Sequence, residues 1–232
     1  MSIAETVGPG VLDNPAWAAL CGPHARFAEV RGQAGRYHPD VAPWHGLADP
    51  ADPAAWSDLA ALVGPGVEIT LAGVPEADRP GWERGLTVEG VQLIDVALRA
   101  EPDPDAVVLG ADDVPEMLDL VRRTQPGPFL QRTVEMGTYL GLRSGGRLVA
   151  MAGERLHPPG WTEISAVCTD PAFRGRGYAT RLVRAVAAGI RGRGETPFLH
   201  ASASNVAAIR LYESIGFTLR KRLSFTAYRT SR

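Results

Sequence analysis

The segment Thr169-Asp170-Pro171-Ala172-Phe173-Arg174-Gly175-Arg176-Gly177-Tyr178-Ala179 joins a predicted strand to a predicted helix and is the most informative stretch of the chain. Gly175 and Gly177 have no side chains, so they allow a ligand to approach the backbone closely. The first N–H groups of the helix lack intrahelical partners, and the helix dipole adds partial positive charge there. Arg174 and Arg176 can add charge-assisted hydrogen bonds, which is typical of a pyrophosphate site. An ordinary glycine-containing turn before a helix fits the same residues.

Other ligand-binding motifs do not match. The chain has no Gly-Lys-Ser/Thr of a Walker loop, and its glycine spacing differs from the dinucleotide fingerprint. The histidines at 24, 38, 45 and 157 follow no metal-ligand pattern, so we expect no metal site. His200 ends a predicted strand and is interpreted as structural. The arginines are not interleaved with aromatic residues, which argues against a nucleic-acid partner.

Hydrophobic periodicity on both sides of this segment predicts an α/β fold. In residues 106–232 the predicted order is strand, helix, three strands, helix, strand, helix, and then one or two strands. Such an order is typical of a sheet of mixed direction with helices on both faces. The predicted strands are 107–109, 138–142, 147–156, 161–169, 198–201 and 217–228, and the predicted helices are about 113–124, 175–191 and 205–215.

Residues 1–105 contain no catalytic motif that we recognise. Residues 100–105, Ala-Glu-Pro-Asp-Pro-Asp, form the one convincing linker, so we expect two units, 1–105 and 106–232. The elements predicted in the first unit are a short helix capped by Asn14, a helix from Asp52-Pro53 to Val63, and strands at 67–71 and 86–96.

Composition excludes several classes of protein. With 45% hydrophobic and 22% charged residues, the 232-residue chain can bury a core, which excludes a disordered chain. We find no signal peptide and no apolar stretch of roughly 20 residues, which argues against a membrane protein. Cys21 and Cys168 are too few for a disulfide framework. They are predicted to be buried free thiols, so we expect a cytoplasmic protein.

The net charge of −2 hides an asymmetry between the two halves. Residues 1–105 carry 6 Lys and Arg against 16 Asp and Glu, a balance of −10, and residues 106–232 have a balance of +8. A basic half suits an anionic ligand, and two oppositely charged halves also favour packing on each other.

Two motifs together resemble the GNAT (GCN5-related N-acetyltransferase) superfamily. Its Arg/Gln-x-x-Gly-x-Gly/Ala motif is matched by Arg174, Gly177 and Ala179. Downstream, residues 205–217 resemble the family's Asn-x-x-Ala-x-x-x-Tyr-x-x-x-Gly-Phe helix. The resemblance covers about residues 106–232. The variant of the first motif looks most like the FR47-like branch, which includes the glycine N-acyltransferases.

The resemblance implies a GNAT fold, with a mixed and mostly antiparallel sheet, preceded by a degenerate GNAT-like half over residues 1–105. It implies acetyl-CoA as the cosubstrate, with the strand before the loop pairing with the pantetheine arm and a backbone N–H polarising the acetyl carbonyl. Tyr212 lies where the family often has a tyrosine that protonates the departing thiolate; a packed aromatic role is the alternative. The residues implied to bind acetyl-CoA are Val167, Cys168, Thr169, Arg174, Gly175, Arg176, Gly177, Tyr178, Ala179, Thr180 and Asn205.

The general base is predicted among the glutamates near the turn at 157–160. Glu163 lies fourteen residues before Gly177, the spacing found in family members that use a glutamate base. A turn at 157–160 would place Glu154 opposite Glu163, and neighbouring carboxylates raise the pKa of one of them. A raised pKa suits removal of a proton from an ammonium group. Alternatively, both glutamates sit in solvent at the hairpin end, and a slip of one residue would separate them.

These observations predict an N-acetyltransferase that transfers the acetyl group directly from acetyl-CoA to a small amine in a ternary complex. Glu163 would take the amine's proton, directly or through water, with Glu154 beside it and Tyr212 as the acid. On charge alone, the acidic half is a candidate for part of the acceptor pocket. Two alternatives stay open: a protein N-terminal or lysine acetyltransferase, and a non-catalytic acyl-CoA-binding regulatory protein. We expect a monomer or homodimer with no metal, nucleic-acid or membrane partner.

Overall fold

A computed structural model describes residues 9–75 and 77–231, in which helices pack on two β-sheets. The described helices are α1 (Pro15–Leu20), α2 (Pro53–Val63), α3 (Val114–Thr124), α4 (Tyr178–Gly192) and α5 (Val206–Ser214). The described strands are β1 (Ala28–Arg31), β2 (Ala34–Tyr37), β3 (His45–Leu47), β4 (Glu68–Ala72), β5 (Trp82–Asp95), β6 (Val107–Leu109), β7 (Tyr139–Ser144), β8 (Arg147–Glu154), β9 (Trp161–Thr169), β10 (Thr196–Ser202) and β11 (Phe217–Thr230).

Local sequence explains where α2 begins and ends. Asp52 caps it by accepting a hydrogen bond from a first-turn N–H, and Pro53 occupies a position where its missing N–H is not needed. Gly64 ends α2 with a φ of 86°, which glycine adopts without strain. Asn14 precedes α1 as predicted, but its side-chain amide donates to the carbonyl oxygen of Leu47 (2.6 Å) and does not cap the helix.

The larger sheet joins the two halves of the chain. Within the described residues its eight strands lie in the order β4-β11-β5-β10-β9-β8-β7-β6, and of these strand pairs only β9 and β10 are parallel. β5 therefore lies between β10 and β11 and is hydrogen-bonded to both. The boundary expected near residue 105 does not divide this sheet, because β5 is one of its inner strands. A degenerate GNAT-like origin of residues 1–105 stays a prediction.

Helices cover both faces of the larger sheet, as predicted. On one face α4 and α5 pack in a common core, in which α4 contributes a stripe of Leu182, Val186 and Ile190 at helical spacing. On the other face α3 packs through Met117 and Leu120. The first half of the chain, with α1, α2 and the small sheet β1-β2-β3, covers the same face beside it. The fold is thus a mixed, mostly antiparallel sheet between helical layers.

Several details differ from the sequence prediction. The small sheet was not predicted, because its strands are three or four residues long, too short for a reliable alternation. α4 starts at Tyr178 and not near Gly175, since the glycines before it form a loop. Cys168 is buried as predicted, but Cys21 is exposed. In the part of the chain that the structure describes, no helix has the length and apolar character needed to cross a membrane.

The inner position of β5 predicts that residues 106–232 do not fold alone. Without β5, both β10 and β11 would present open edges where each now has a hydrogen-bonded neighbour. We therefore expect this fragment to show no cooperative thermal unfolding by circular dichroism, whereas the full chain does. A cooperative transition in the fragment would contradict this arrangement.

Candidate active site

The glycine-rich loop at 174–177 leaves backbone N–H groups at the start of α4 without partners in the described chain. Pro171–Phe173 forms a short turn that Asp170 caps. Gly175 and Gly177 have φ values of 75° and 76°, in the left-handed region that glycine adopts without strain. Across the described residues, no backbone N–H from 175 to 180 donates a hydrogen bond to another residue. These N–H groups at the start of α4 are therefore free for an anionic ligand.

Arg174 and Arg176 add positive charge beside these N–H groups. The Nε of Arg174 lies 3.4 Å from the carbonyl oxygen of Thr169, and the Arg176 guanidinium lies 4.8 Å from the ring centroid of Phe173. Both side chains are exposed, and neither is paired with a carboxylate of the described chain. The loop can therefore offer charge-assisted hydrogen bonds to a diphosphate.

The two parallel strands next to this loop separate along their length. β9 and β10 pair over residues 161–163 and 196–198, and both strands then continue apart. On its other edge β9 contains a β-bulge against β8, where Ala166 has a φ of 53°. Beyond Glu163, the edge of β9 that faces β10 has no strand partner among the described residues. This open edge includes Val167, Cys168 and Thr169 and leads directly to the glycine-rich loop. A ligand held by the loop can therefore extend along this edge of β9.

Cys168 is not a nucleophile in this environment. Its side chain is buried in the core that α3 forms with β8 and β9. Burial raises the pKa of the Cys168 thiol to about 11. Such a thiol is protonated at neutral pH, and the thiolate is the reactive form. The sequence-based interpretation of a buried thiol is consistent with this.

α5 carries the two other predicted site residues. Asn205 caps this helix, because its side-chain oxygen accepts a hydrogen bond from the N–H of Ala208 (3.2 Å). Tyr212 is 8% exposed and packs in the core with α4. Burial, with a smaller contribution from Cys168, raises the pKa of Tyr212 to about 12. Its hydroxyl has no hydrogen-bond partner among the residues that the structure describes. The raised pKa keeps the phenol protonated at neutral pH, so its O–H can serve as a hydrogen-bond donor.

Glu163 is fully buried and strongly paired. Its carboxylate oxygens accept hydrogen bonds from Arg155 at 2.6 and 2.8 Å, and the Nδ1 of His200 lies 2.7 Å from Oε1. Burial alone would raise the pKa of this carboxyl. The charge of Arg155 and the hydrogen bonds from Arg155 and His200 overcome that effect and hold the pKa well below its usual range. Glu163 is therefore an anion around neutral pH and by itself a poor proton acceptor.

This pairing corrects the predicted hairpin. Glu154 lies opposite Ile164, and Arg155 pairs with Glu163 through both backbone and side chain, one residue away from the predicted register. Successive strand residues point to opposite faces of a sheet, so the slip places Glu154 and Glu163 on opposite faces. The expectation that the two carboxylates repel and raise a pKa is wrong, because an arginine faces Glu163.

Glu154 is hydrogen-bonded to Arg193 at the C-terminal end of α4, whereas the glycine-rich loop lies at the N-terminal end. Its Oε1 accepts a hydrogen bond from Arg193 (2.9 Å), and its Oε2 accepts one from the backbone N–H of Thr138 (3.1 Å). Arg193 follows the last residue of α4, whereas the loop precedes the first. At about 1.5 Å per residue, the helix separates the two by about 22 Å. The structure therefore does not bring Glu154 to the loop.

His200 is a candidate general base, although its sequence position predicted a structural role. The amide nitrogen of Gln92 lies 3.0 Å from its Nε2. Gln92 also donates to the carbonyl oxygen of Leu12 (2.9 Å), and its own oxygen accepts from Arg220 (2.9 Å). These partners assign the orientation of the amide, so Nε2 of His200 accepts a hydrogen bond and Nδ1 carries the proton that is donated to Glu163.

The register between β9 and β10 explains why Glu163 and His200 meet. Phe198 lies beside Glu163 in the parallel pairing of β9 and β10, and His200 is two residues further along β10. Alternate strand residues share a face, so Glu163 and His200 point to the same side of the sheet. Finding the pair from sequence requires the register between β9 and β10, which periodicity alone does not supply.

In residues 9–75 and 77–231, no three His, Cys, Asp or Glu side chains are grouped closely enough to hold a metal ion.

The chain is similar to several known proteins. Residues 139–226 match the family model described as FR47-like protein. A solved structure from Novosphingobium aromaticivorans, assigned to the GNAT family of acetyltransferases, is 42% identical, with a TM-score of 0.86 over 95% of this chain and 99% of its own. The N-alpha-acetyltransferase RimI of Mycobacterium tuberculosis is 43% identical over 82 residues. A mycothiol acetyltransferase of Thermobispora bispora is 34% identical over 110 residues.

The two named enzymes are matched over part of their length. The RimI match covers 34% of this chain and 51% of the relative. The mycothiol acetyltransferase match covers 44% of this chain and 35% of the relative. The chain therefore spans about half or less of these relatives, whereas the Novosphingobium aromaticivorans structure is matched over nearly its whole length.

The buried Arg155–Glu163 pair predicts a large loss of stability when one partner is neutralised. Glu163→Gln leaves the guanidinium of Arg155 buried without its counter-charge. We expect the free energy of unfolding in urea at pH 7 to fall by about 3–5 kcal/mol. A lowered pKa stabilises the fold wherever the unfolded carboxyl is ionised, so the loss should stay constant above pH 4.5 and shrink below it.

Glu135→Gln is the matched control for this variant. Glu135 forms an exposed ion pair with Arg132 (2.7 Å), so its neutralisation should hardly change the free energy of unfolding. Equal effects of the two substitutions would contradict the buried pair.

Proposed function

The chain belongs to the GNAT family of acetyltransferases, and we propose that it transfers the acetyl group of acetyl-CoA to a small amine. One observation carries this proposal: the free backbone N–H groups at 175–180, which lie beside Arg174 and Arg176 where the separated part of β9 ends. A diphosphate fits free helix N-terminal N–H groups flanked by arginines. The enzyme names of two relatives, an N-alpha-acetyltransferase and a mycothiol acetyltransferase, support acetyl transfer.

The proposed acetyl-CoA site is one continuous surface. The N–H groups at 175–180, with Arg174 and Arg176, hold the pyrophosphate. The unpaired edge of β9 at Val167, Cys168 and Thr169 hydrogen-bonds to the pantetheine arm in the manner of an added strand. Bound in this way, acetyl-CoA supplies an acyl group activated as a thioester. Asn205 contributes by fixing the start of α5, the helix that carries Tyr212.

Tyr212 is the proposed acid. Its raised pKa keeps the phenol protonated at neutral pH, and no described residue accepts its hydrogen bond. The hydroxyl is therefore available to give a proton to the departing thiolate of CoA. Its position in the core with α4 fixes the ring, so a packed aromatic and a catalytic acid are compatible roles for the same residue.

We assign proton removal to His200, with Glu163 as its positioning residue. Glu163 accepts the Nδ1–H of His200, which leaves Nε2 as the basic atom. The amine takes the place of the Gln92 amide at Nε2 and gives up its proton there. The Glu163 anion stabilises the resulting imidazolium, as the carboxylate does in histidine-based triads. Glu154 takes no part, because it is bonded to Arg193 on the opposite face.

Release of free CoA, measured with a thiol reagent across small amines, amino acids and peptides, tests the proposal. We expect at least one small amine to release CoA well above the rate of acetyl-CoA hydrolysis. Release with peptides alone would support a protein acetyltransferase. Binding of acetyl-CoA without release to any acceptor would contradict the proposed activity.

The Tyr212→Phe variant, measured in the same assay, tests the proposed role of the Tyr212 hydroxyl. We expect kcat with the best amine to fall about 100-fold, because the thiolate then leaves without a proton donor. The hydroxyl has no partner to lose, so the thermal midpoint and the affinity for acetyl-CoA should stay unchanged. An unchanged kcat would remove Tyr212 from the mechanism.

A further inference from the structure

A cleft lies between the first half of the chain and the larger sheet. It is narrow, with a cavity volume of about 30 Å³, and part of it is open to solvent. His200 and Arg155 line one side of the cleft, and residues from the start of α1, from β3 and from the end of β4 line the others.

The position of His200 connects this cleft to the reacting centre. His200 is two residues beyond Phe198, the last residue at which β10 pairs with β9. The cleft therefore reaches the point where the two strands separate, on the face opposite α4 and α5. An amine in the cleft approaches the strand gap from the side that the acetyl-CoA loop and α4 leave uncovered.

We propose that this cleft binds the acceptor and selects a small primary amine whose body is apolar. The inference rests on the proposed acetyl transfer and names its substrate class. Most of the wall is hydrocarbon or aromatic ring, so a narrow alkyl chain would be removed from water there. The apolar wall consists of Trp44, Leu47, Leu71, Val74, Leu156 and Phe225.

The charges of the cleft support an apolar acceptor over a polycation. Asp13 is the one carboxylate among the described lining residues, and it is already bonded to Arg220 and Lys221, each at 2.9 Å. The charge of Arg155 is neutralised by Glu163. The acidic surplus of the first half therefore does not collect in this cleft, so the acceptor pocket suggested by charge alone is not acidic.

A homologous series of straight-chain primary amines tests the proposal. Each buried methylene should raise kcat/KM about fourfold until the cleft is filled. Spermidine, with its several charges, should be a poor acceptor. A flat series, or a preference for spermidine or for peptides, would overturn the proposal while leaving acetyl transfer intact.

Ala72→Leu places extra volume in the cleft at the end of β4. We expect it to lower kcat/KM at least tenfold for the longest amines while sparing the shortest, with KM for acetyl-CoA unchanged. Ala54→Leu, on the exposed face of α2, is the control and should change none of these values. Equal loss for short and long amines in Ala72→Leu would contradict the cleft as the acceptor site.

Calorimetric titration of the same amines into the CoA-saturated protein separates the two proposals. Affinity that rises with chain length and is lost in Ala72→Leu, without any CoA release from acetyl-CoA, would support the cleft and overturn the proposed activity. CoA release without length dependence in either assay would support the activity and overturn the cleft.

Discussion

The arrangement of the site depends on the neutralisation of one buried carboxylate. Glu163 lies where the β8–β9 hairpin, β10 and the first half of the chain meet, and it is fully removed from solvent. An uncompensated charge there would destabilise the fold by several kcal/mol, so Arg155 must be present and correctly oriented. The Arg155 guanidinium also lies 4.8 Å from the ring centroid of Trp44, which ties the first half of the chain to the same ion pair.

Hydrogen bonds extend from this centre across strands that are distant in sequence. His200 on β10 is bonded to Gln92 on β5, and Gln92 is bonded to Arg220 on β11. The network therefore spans the point where β9 and β10 separate, and its hydrogen bonds assign one tautomer to the neutral imidazole of His200. The glycine-rich loop lies at one end of the separated strand and the cleft opens beside the other. A thioester and an amine can meet between them.

The sequence predicted those elements whose conformation depends mainly on residues close to them in the chain. The strand at 161–169, the loop with Gly175 and Gly177, and the helix after it follow from periodicity, glycine and helix-terminus chemistry. The partner of Glu163 could not be predicted in the same way. A shift of one residue in the β8–β9 register places Arg155, and not Glu154, opposite Glu163. The role of His200 and the inner place of β5 also depend on which strands pair, and long-range pairing leaves no local signature.

Hydrogen exchange with and without acetyl-CoA reports whether the free N–H groups at 175–180 bind the cosubstrate. We predict that saturating acetyl-CoA slows exchange in peptides covering 174–181 and in the separated part of β9 at 164–169, while α2 is unaffected. Protection elsewhere, with exchange at 175–180 unchanged, would show that these N–H groups do not bind acetyl-CoA.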